Sequence, residues 1–186
     1  MDAVKKLDGP RTVFDIGAHD GKTNSNSLAL IEMGWSAVLI EPSPSCFLKL
    51  LDRHAGNPKV TLINAAIGLD KMMVKFYEFV DDQCGTTVRA NAEKWTSPER
   101  KCREYWISQV TIPELLNQVG GCADVLSIDT EGTAFDILGK CPITSWNPTV
   151  IVVEHDLRAY EMAAWAERMK YDIHGLNAEN LVMVKR

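Results

Sequence analysis

The sequence predicts an α/β fold: a mostly parallel seven-stranded sheet with helices on both faces. Two observations carry this. Short apolar, β-prone runs alternate with amphipathic segments along nearly the whole chain, which is the pattern of strands buried beneath crossover helices. The boundaries between these segments also carry glycine, proline or capping residues.

The elements follow in order. Thr12 to Ile16 reads as a buried strand that ends at Gly17. A helix is expected from about Asn26 to Met33, with Leu28 and Ile31 on one face and Gly34 as its stop. Trp35 to Ile40 is the second strand. Ser43-Pro44 then supplies an N-cap and a proline at the first helical position, opening a helix that carries Phe47, Leu48 and Leu51. Asn57-Pro58 breaks the chain before a third strand, Val60 to Ile63. Met72 to Val80 reads as an extra strand or hairpin arm, and Asp81 to Tyr105 as the least regular stretch. Thr111-Ile-Pro-Glu114 matches a capping box and opens a short helix to Gly120. Asp124 to Ile128 is the next strand, followed by a helix from Thr133 to Leu138 stopped at Gly139. Thr149 to Val153 is a continuous apolar strand, Asp156 is the expected cap of a helix to Lys170, and Tyr171 to His174 and Leu181 to Lys185 are the final strands.

Length and composition bound what such a fold can do. The 186 residues suit one domain, 1–186, with no separate substrate domain. A net charge of -5 argues against a protein that mainly grips phosphate backbones, so nucleic acid is not expected as a partner. Residues 1–10 lack the apolar core of a signal peptide, and no apolar run is long enough for a membrane span. Five spread cysteines without a CxxC pair indicate reduced thiols and a cytoplasmic protein, not a disulfide framework or a zinc site.

Open α/β sheets bind ligands at the carboxyl ends of their strands, where strand order reverses. The first such junction is Asp15-Ile16-Gly17-Ala18-His19-Asp20-Gly21. Small residues let the backbone approach a ligand, and Asp15 is a fixed acceptor. The GxGxxG dinucleotide pattern is absent, because position 19 is His and position 22 is Lys, which disfavours a nicotinamide oxidoreductase. The Asp-x-Gly-x-x-x-Gly spacing is instead common in loops that hold S-adenosylmethionine, a cationic ligand without pyrophosphate. Glu41 ends the second strand 24 residues after Gly17, where such folds place an acidic residue on ribose hydroxyls. Asn64-Ala65-Ala66 suits either adenine recognition or a packed turn.

Taken together, Phe14-Asp-Ile-Gly-Ala-His-Asp-Gly21, Ser25-Asn-Ser27, Gly34-Trp35, Ile40-Glu-Pro-Ser-Pro44, Asn64-Ala-Ala-Ile67, Asp124-Val-Leu-Ser-Ile-Asp-Thr-Glu-Gly132 and Val153-Glu-His155 resemble the FkbM-type methyltransferases. The resemblance runs from Thr12 to about His155. It implies a Rossmann-like class I methyltransferase fold with an antiparallel final strand, and S-adenosylmethionine as cofactor. Carried over by position, it implies that Asp15, Gly17, Ala18, His19, Asp20 and Gly21 surround the methionine part and ribose, that Glu41 clamps the ribose, and that Asn64 and Ala65 meet the adenine. Asn26 orders the loop or touches the ligand, and Asp129 is shared between cofactor and chemistry. The sequence departs from the family where many members continue the Glu-Gly block with another acid: here stand Thr133-Ala134.

Methyl transfer needs an aligned nucleophile and exclusion of water, and a hydroxyl nucleophile gains from a general base. Asp129, Glu131, Glu154 and His155 are the candidates at the strand ends. Glu131 and His155 have alternative structural roles, anchoring the next helix and packing at a helix start. No metal is expected, because two close carboxylates lack a third ligand at readable spacing. Residues 81–105 are the expected lid, either a substrate cover or a solvated insertion. There Trp95, Tyr105 and Trp106 could stack on an acceptor, and Arg89, Lys94, Arg100, Lys101 and Arg103 could hold an acidic group. The expected activity is O-methylation of a small-molecule or glycan hydroxyl. N-methylation, a macromolecular acceptor and a non-catalytic cofactor-binding module are the alternatives.

Overall fold

The computed structural model of the chain describes residues 11–79, 84–120 and 122–186. In chain order the elements are β1 (Thr12–Ile16), α1 (Leu28–Glu32), β2 (Ser36–Ile40), α2 (Pro44–His54), β3 (Val60–Ile63), β4 (Ala66–Ile67), β5 (Met72–Phe79), β6 (Cys84–Thr86), α3 (Arg89–Trp95), β7 (Cys102–Val110) and α4 (Ile112–Val119). They continue with β8 (Val125–Ile128), α5 (Ala134–Lys140), α6 (Ile143–Trp146), β9 (Val150–Glu154), α7 (Ala159–Arg168), β10 (Tyr171–Leu176) and β11 (Asn180–Lys185).

Seven strands form the main sheet in the order β10-β11-β9-β8-β1-β2-β3. The pairs β1–β2, β2–β3, β1–β8 and β8–β9 are parallel, and the last strand, β11, runs antiparallel to both β9 and β10. The chain moves outward from β1 to β3, then returns to lay β8 on the other side of β1. That reversal is the switch point at which such sheets open a crevice.

Alternation along the strands divides the core into two layers. In β1, Val13 packs in one cluster with Leu30, Trp35, Leu39 and Leu50, while Phe14 and Ile16 pack in the other with Leu115, Ile137, Trp146 and Trp165. Helices therefore cover both faces. Phe14 and Trp146 lie 5.0 Å apart between ring centroids, and each large, fully buried side chain contributes about 1.5–3 kcal/mol.

Several element boundaries and faces differ from the sequence expectations. In α2 the buried positions are Cys46, Leu50 and His54, spaced one helical turn apart, so Leu48 (65% exposed) and Leu51 (40%) face outward. The α5 helix passes through Gly139, where a side chain would meet open space, and ends at Lys140. Asp156 does not cap α7: it sits at φ +46°, Arg158 is the N-cap residue, and the helix starts at Ala159. The sequence reading overlooked β4 and α6.

The largest difference concerns the expected lid. Val80 and residues 81–83 lie outside the described residues, but the rest of 84–105 is ordered as β6, α3 and the first part of β7. β7 pairs antiparallel with β5 from Cys102↔Phe79 to Gln109↔Met72 and completes a four-stranded second sheet, β4-β7-β5-β6. The charged pair Arg103-Glu104 disguised the alternation of Tyr105 and Ile107, which turn to the inner face of that sheet.

Candidate active site

The site is assembled where β1, β2 and β8 end. Beyond Ile16 the chain turns sharply, and the amides of Gly17 and Ala18 both donate to the Ile40 carbonyl, at 2.9 and 3.0 Å. Gly17 has φ +85°, and a Cβ there would lie 1.7 Å from the Asp129 carbonyl oxygen. Only glycine tolerates that approach. The turn thereby brings the β1 loop, Glu41 and Asp129 to one place.

Glu41 is buried, with each carboxylate oxygen accepting one backbone amide: His19 N–H at 2.8 Å and Ser43 N–H at 2.7 Å. Burial pushes its carboxyl up to about 7 against those two hydrogen bonds. Asp15 is buried as well and accepts from the Ser27 hydroxyl at 2.5 Å. Its carboxyl is also raised, by burial, while hydrogen bonds from Ser27 and Ser127 act in the opposite sense. The Asn26 amide donates to Ser127 Oγ at 3.1 Å, tying the first loop to β8.

A cavity of about 250 Å3 opens here. Asp15, Gly17, Ala18, His19, Asn26, Glu41, Ala65, Asp129 and Glu131, all sequence candidates, line it together with Thr130, Thr133 and five residues of the second sheet, Ala66, Ile67, Phe76, Cys84 and Gly85. Five candidates are outside this lining: Glu154, at the end of β9, and the four that follow. Asp20 turns its carboxylate onto its own loop, accepting from the Lys22 and Thr23 amides at 2.8 and 2.7 Å; burial opposes ionisation, but these bonds and the Thr23 hydroxyl bring its carboxyl down to about 2. Gly21, at φ +69°, packs on Leu50 and His54. Asn64 donates to the Glu41 carbonyl at 2.8 Å and steadies the end of β2. His155 is buried near the β10–β11 turn: its Nε2 lies 3.3 Å from the Asn177 carbonyl and its Nδ1 accepts the Leu157 amide at 3.2 Å. Both ring nitrogens thus face backbone groups, and His155 is not in the cavity lining.

The carboxylates beyond β8 and β9 form a tight group. Ile128 is paired with Val153, so Asp129 and Glu154 emerge side by side. Carboxylate oxygens of Asp129, Glu131 and Glu154 all lie within 4.8 Å of one another, an oxygen-donor set with the chemistry to hold a divalent cation. This corrects the expectation that a third ligand was lacking. The signal was present in Glu154, but only strand pairing shows its proximity. Glu131 has φ +52°, its amide donates to Glu154 Oε2 at 3.0 Å, and its carbonyl accepts from Thr86 Oγ1 (2.8 Å) and Asn91 Nδ2 (3.1 Å). Burial and the neighbouring charges of Asp129, Glu131 and Asp156 push Glu154 up to about 9. Burial raises Asp129 and Glu131 too, but Glu154 is the natural seat of a shared proton.

Sequence reasoning missed Glu78. It is buried in β5 and accepts from the hydroxyls of Ser43 and, at 2.7 Å, Ser45 at the start of α2. Burial works against its charge, yet these hydroxyls hold its carboxyl below the usual range. The second sheet is thus bolted to the helix that follows Glu41.

A switch-point cleft in a mostly parallel sheet with an antiparallel last strand defines a Rossmann-like methyltransferase fold. The structure is similar over 97% of the chain to the methyltransferase FkbM of Methylobacillus flagellatus KT, with a TM-score of 0.60 and 15% identity. It is similar to an SAH-bound methyltransferase of Podospora anserina over 95% of the chain and 72% of that protein, at TM-score 0.52 and 11% identity. Fibrillarin of Methanococcus jannaschii, a pre-rRNA processing protein, matches over 96% of the chain and 70% of its own, at TM-score 0.51 and 15% identity. At these identities the likeness is one of fold. The chain spans 45% of the Methylobacillus protein. No curated protein matches it by sequence. Residues 15–177 match the Methyltransferase FkbM domain, and the chain belongs to that family.

Proposed function

We propose that the protein is an S-adenosylmethionine-dependent O-methyltransferase acting on a hydroxyl of a small molecule or glycan. The observation that carries this reading is the cavity at the switch point, walled by Asp15, Glu41, Asp129 and Glu131 and by a glycine turn that admits close backbone approach. The residues fit the cofactor. A ligand bearing amino and sulfonium cations is matched by carboxylates, and Glu41 keeps acceptor capacity beyond its two amide bonds for ribose hydroxyls.

The bound cofactor would supply an electrophilic methyl group to the acceptor oxygen and take up the leaving electron pair as a neutral thioether. Asp129 and Glu131 are the proton acceptors for the hydroxyl, being ionisable groups in the lining beside the second sheet. Phe76, Cys84 and Gly85 line that side of the cavity. A cytoplasmic setting belongs to the same proposal, supported by five cysteines that form no disulfide. Among the described residues no helix is long and apolar enough to cross a membrane.

Calorimetry with S-adenosylmethionine, S-adenosylhomocysteine and NAD tests the cofactor. Binding of the two adenosyl compounds and not of NAD is the expected result; the reverse sinks the reading. Glu41→Ala should weaken binding of S-adenosylhomocysteine by about 1 kcal/mol or more, because ribose hydroxyls lose a buried carboxyl acceptor. A mass-spectrometric acceptor screen tests transfer. Cofactor binding without methylation of any hydroxylated acceptor would favour a non-catalytic binding module.

A further inference from the structure

Glu41 is steered from two sides. Its Oε2 accepts the His19 amide at 2.8 Å and its Oε1 the Ser43 amide at 2.7 Å, so the plane of the carboxyl follows those two backbone segments. A buried carboxyl needs such partners, and a hydrogen bond weakens steeply once its donor swings off line. The His19 side is fixed by the turn after β1, whose Gly17 and Ala18 amides donate to the Ile40 carbonyl. The Ser43 side is fixed from outside the main sheet. Ser43 donates its hydroxyl to Oε1 of Glu78, a β5 side chain buried to 1% exposure. The same oxygen accepts from the Ser45 hydroxyl at 2.7 Å, and the Tyr105 hydroxyl is a further hydrogen-bond partner of Glu78. Phe76 and Glu78, two residues apart in β5, share one face of the strand. Glu78 is paired with Gly85 of β6, and a Cβ on Gly85 would lie 2.2 Å from Phe76 Cζ. Phe76 and Gly85 both line the cavity. The strand that walls the cavity therefore also carries the anchor of Ser43.

Resting on the cofactor reading above, in which Glu41 receives the ribose hydroxyls, we infer that Glu78 is a positioning residue for Glu41 and acts through Ser43. Glu41 and Pro42 line the cavity, and a carboxyl whose two oxygens each take one amide keeps lone pairs for a ligand. The plane of the carboxyl sets where those lone pairs point. Without Glu78, the Ser43 hydroxyl loses its acceptor and the Ser43 amide loses its fixed aim. The Glu41 carboxyl then turns, and the ribose hydroxyls lose alignment while contacts to the other parts of the ligand stay. The second sheet thus has a task beyond lining the cavity. It sets the ribose contact at the end of β2 through a bond between residues 35 positions apart.

The test compares two ligands by calorimetry, S-adenosylhomocysteine and its 2′,3′-dideoxy analogue, which lacks both ribose hydroxyls. Glu78→Ala should weaken S-adenosylhomocysteine about fivefold or more and leave the dideoxy compound within about twofold of its wild-type affinity. Glu78→Gln keeps an acceptor oxygen for Ser43 and loses the charge, so both ligands should stay within about twofold of wild type. A merely structural role would weaken the two ligands alike, and that result overturns the inference. Equal losses in Glu78→Gln and Glu78→Ala overturn it too, because the charge and not the hydrogen bond would then be responsible. Should Glu78→Ala not fold, Ser43→Ala carries the test: it breaks the same link and keeps the backbone amide, so the loss should again fall on the ribose-bearing ligand, and equal loss on both overturns the inference. If the wild-type chain binds neither S-adenosylmethionine nor S-adenosylhomocysteine, the cofactor reading itself fails. If it binds them and the dideoxy compound equally well, Glu41 does not hold the ribose, and the inference falls while the cofactor reading stands.

Discussion

Gly17 shows how narrowly one residue can determine a site. Its φ is +85°, and a Cβ at this position would stand 1.7 Å from the Asp129 carbonyl oxygen, which leaves no room for any side chain. Gly17→Ala should therefore cost about 3 kcal/mol or more, read as a lowered urea midpoint, because strain and overlap with backbone add. A change under about 1 kcal/mol would mean the turn can relax. Glu154 carries a different consequence. Its carboxyl is raised from 4.5 to about 9 in the folded protein, so folding favours the protonated form. The associated stability is fully present below pH 4.5 and is lost as pH rises through about 9. Glu154→Gln keeps an oxygen for the Glu131 amide and removes the titration. Thermal midpoints of this variant should fall less between about pH 7 and 9 than those of wild type; parallel curves would refute the assignment.

Among elements, the joint between α2 and β5 decides how the second sheet sits over the site. Ser43 caps α2 by accepting the Cys46 amide at 3.1 Å and also donates to buried Glu78. Ser43→Ala loses the cap, about 1 kcal/mol, and deprives a buried carboxylate of a donor, about 1–3 kcal/mol. Ser45→Ala removes only a donor. Denaturant unfolding should rank Ser43→Ala as clearly the more damaging, and equal losses would show that the cap contributes nothing. The start of α2 was legible in Ser43-Pro44 because capping is local chemistry. Its partner Glu78, 35 residues away, was not. The inward face of α2 was not legible either: Cys46, Leu50 and His54 are buried while the more hydrophobic Leu48 and Leu51 are exposed.

For the molecule as a whole, a ligand that binds only the folded form must raise its stability by mass action. S-adenosylhomocysteine at about one hundred times its Kd should add about 2.7 kcal/mol and raise the melting temperature in proportion; no shift at saturating concentration would remove it as a ligand. The strands of the main sheet and most of the cavity's acidic lining were readable from the chain alone. Buried parallel strands are continuous apolar runs, and the residues closing them, Asp15, Gly17, Glu41 and Asp129, are next to those runs in sequence. Local pattern by itself determined the α/β class, the strand ends and the capped helices. Tertiary structure alone decided which of those ends converge. It set Glu154 against Asp129 through the register of β8 and β9, turned His155 and Asp20 away from the cavity, and made the expected lid a second sheet walled onto Glu131. The physical reason is that periodicity and capping act within a few residues, whereas proximity, burial and the charge of a cavity arise from pairing between segments distant in the chain.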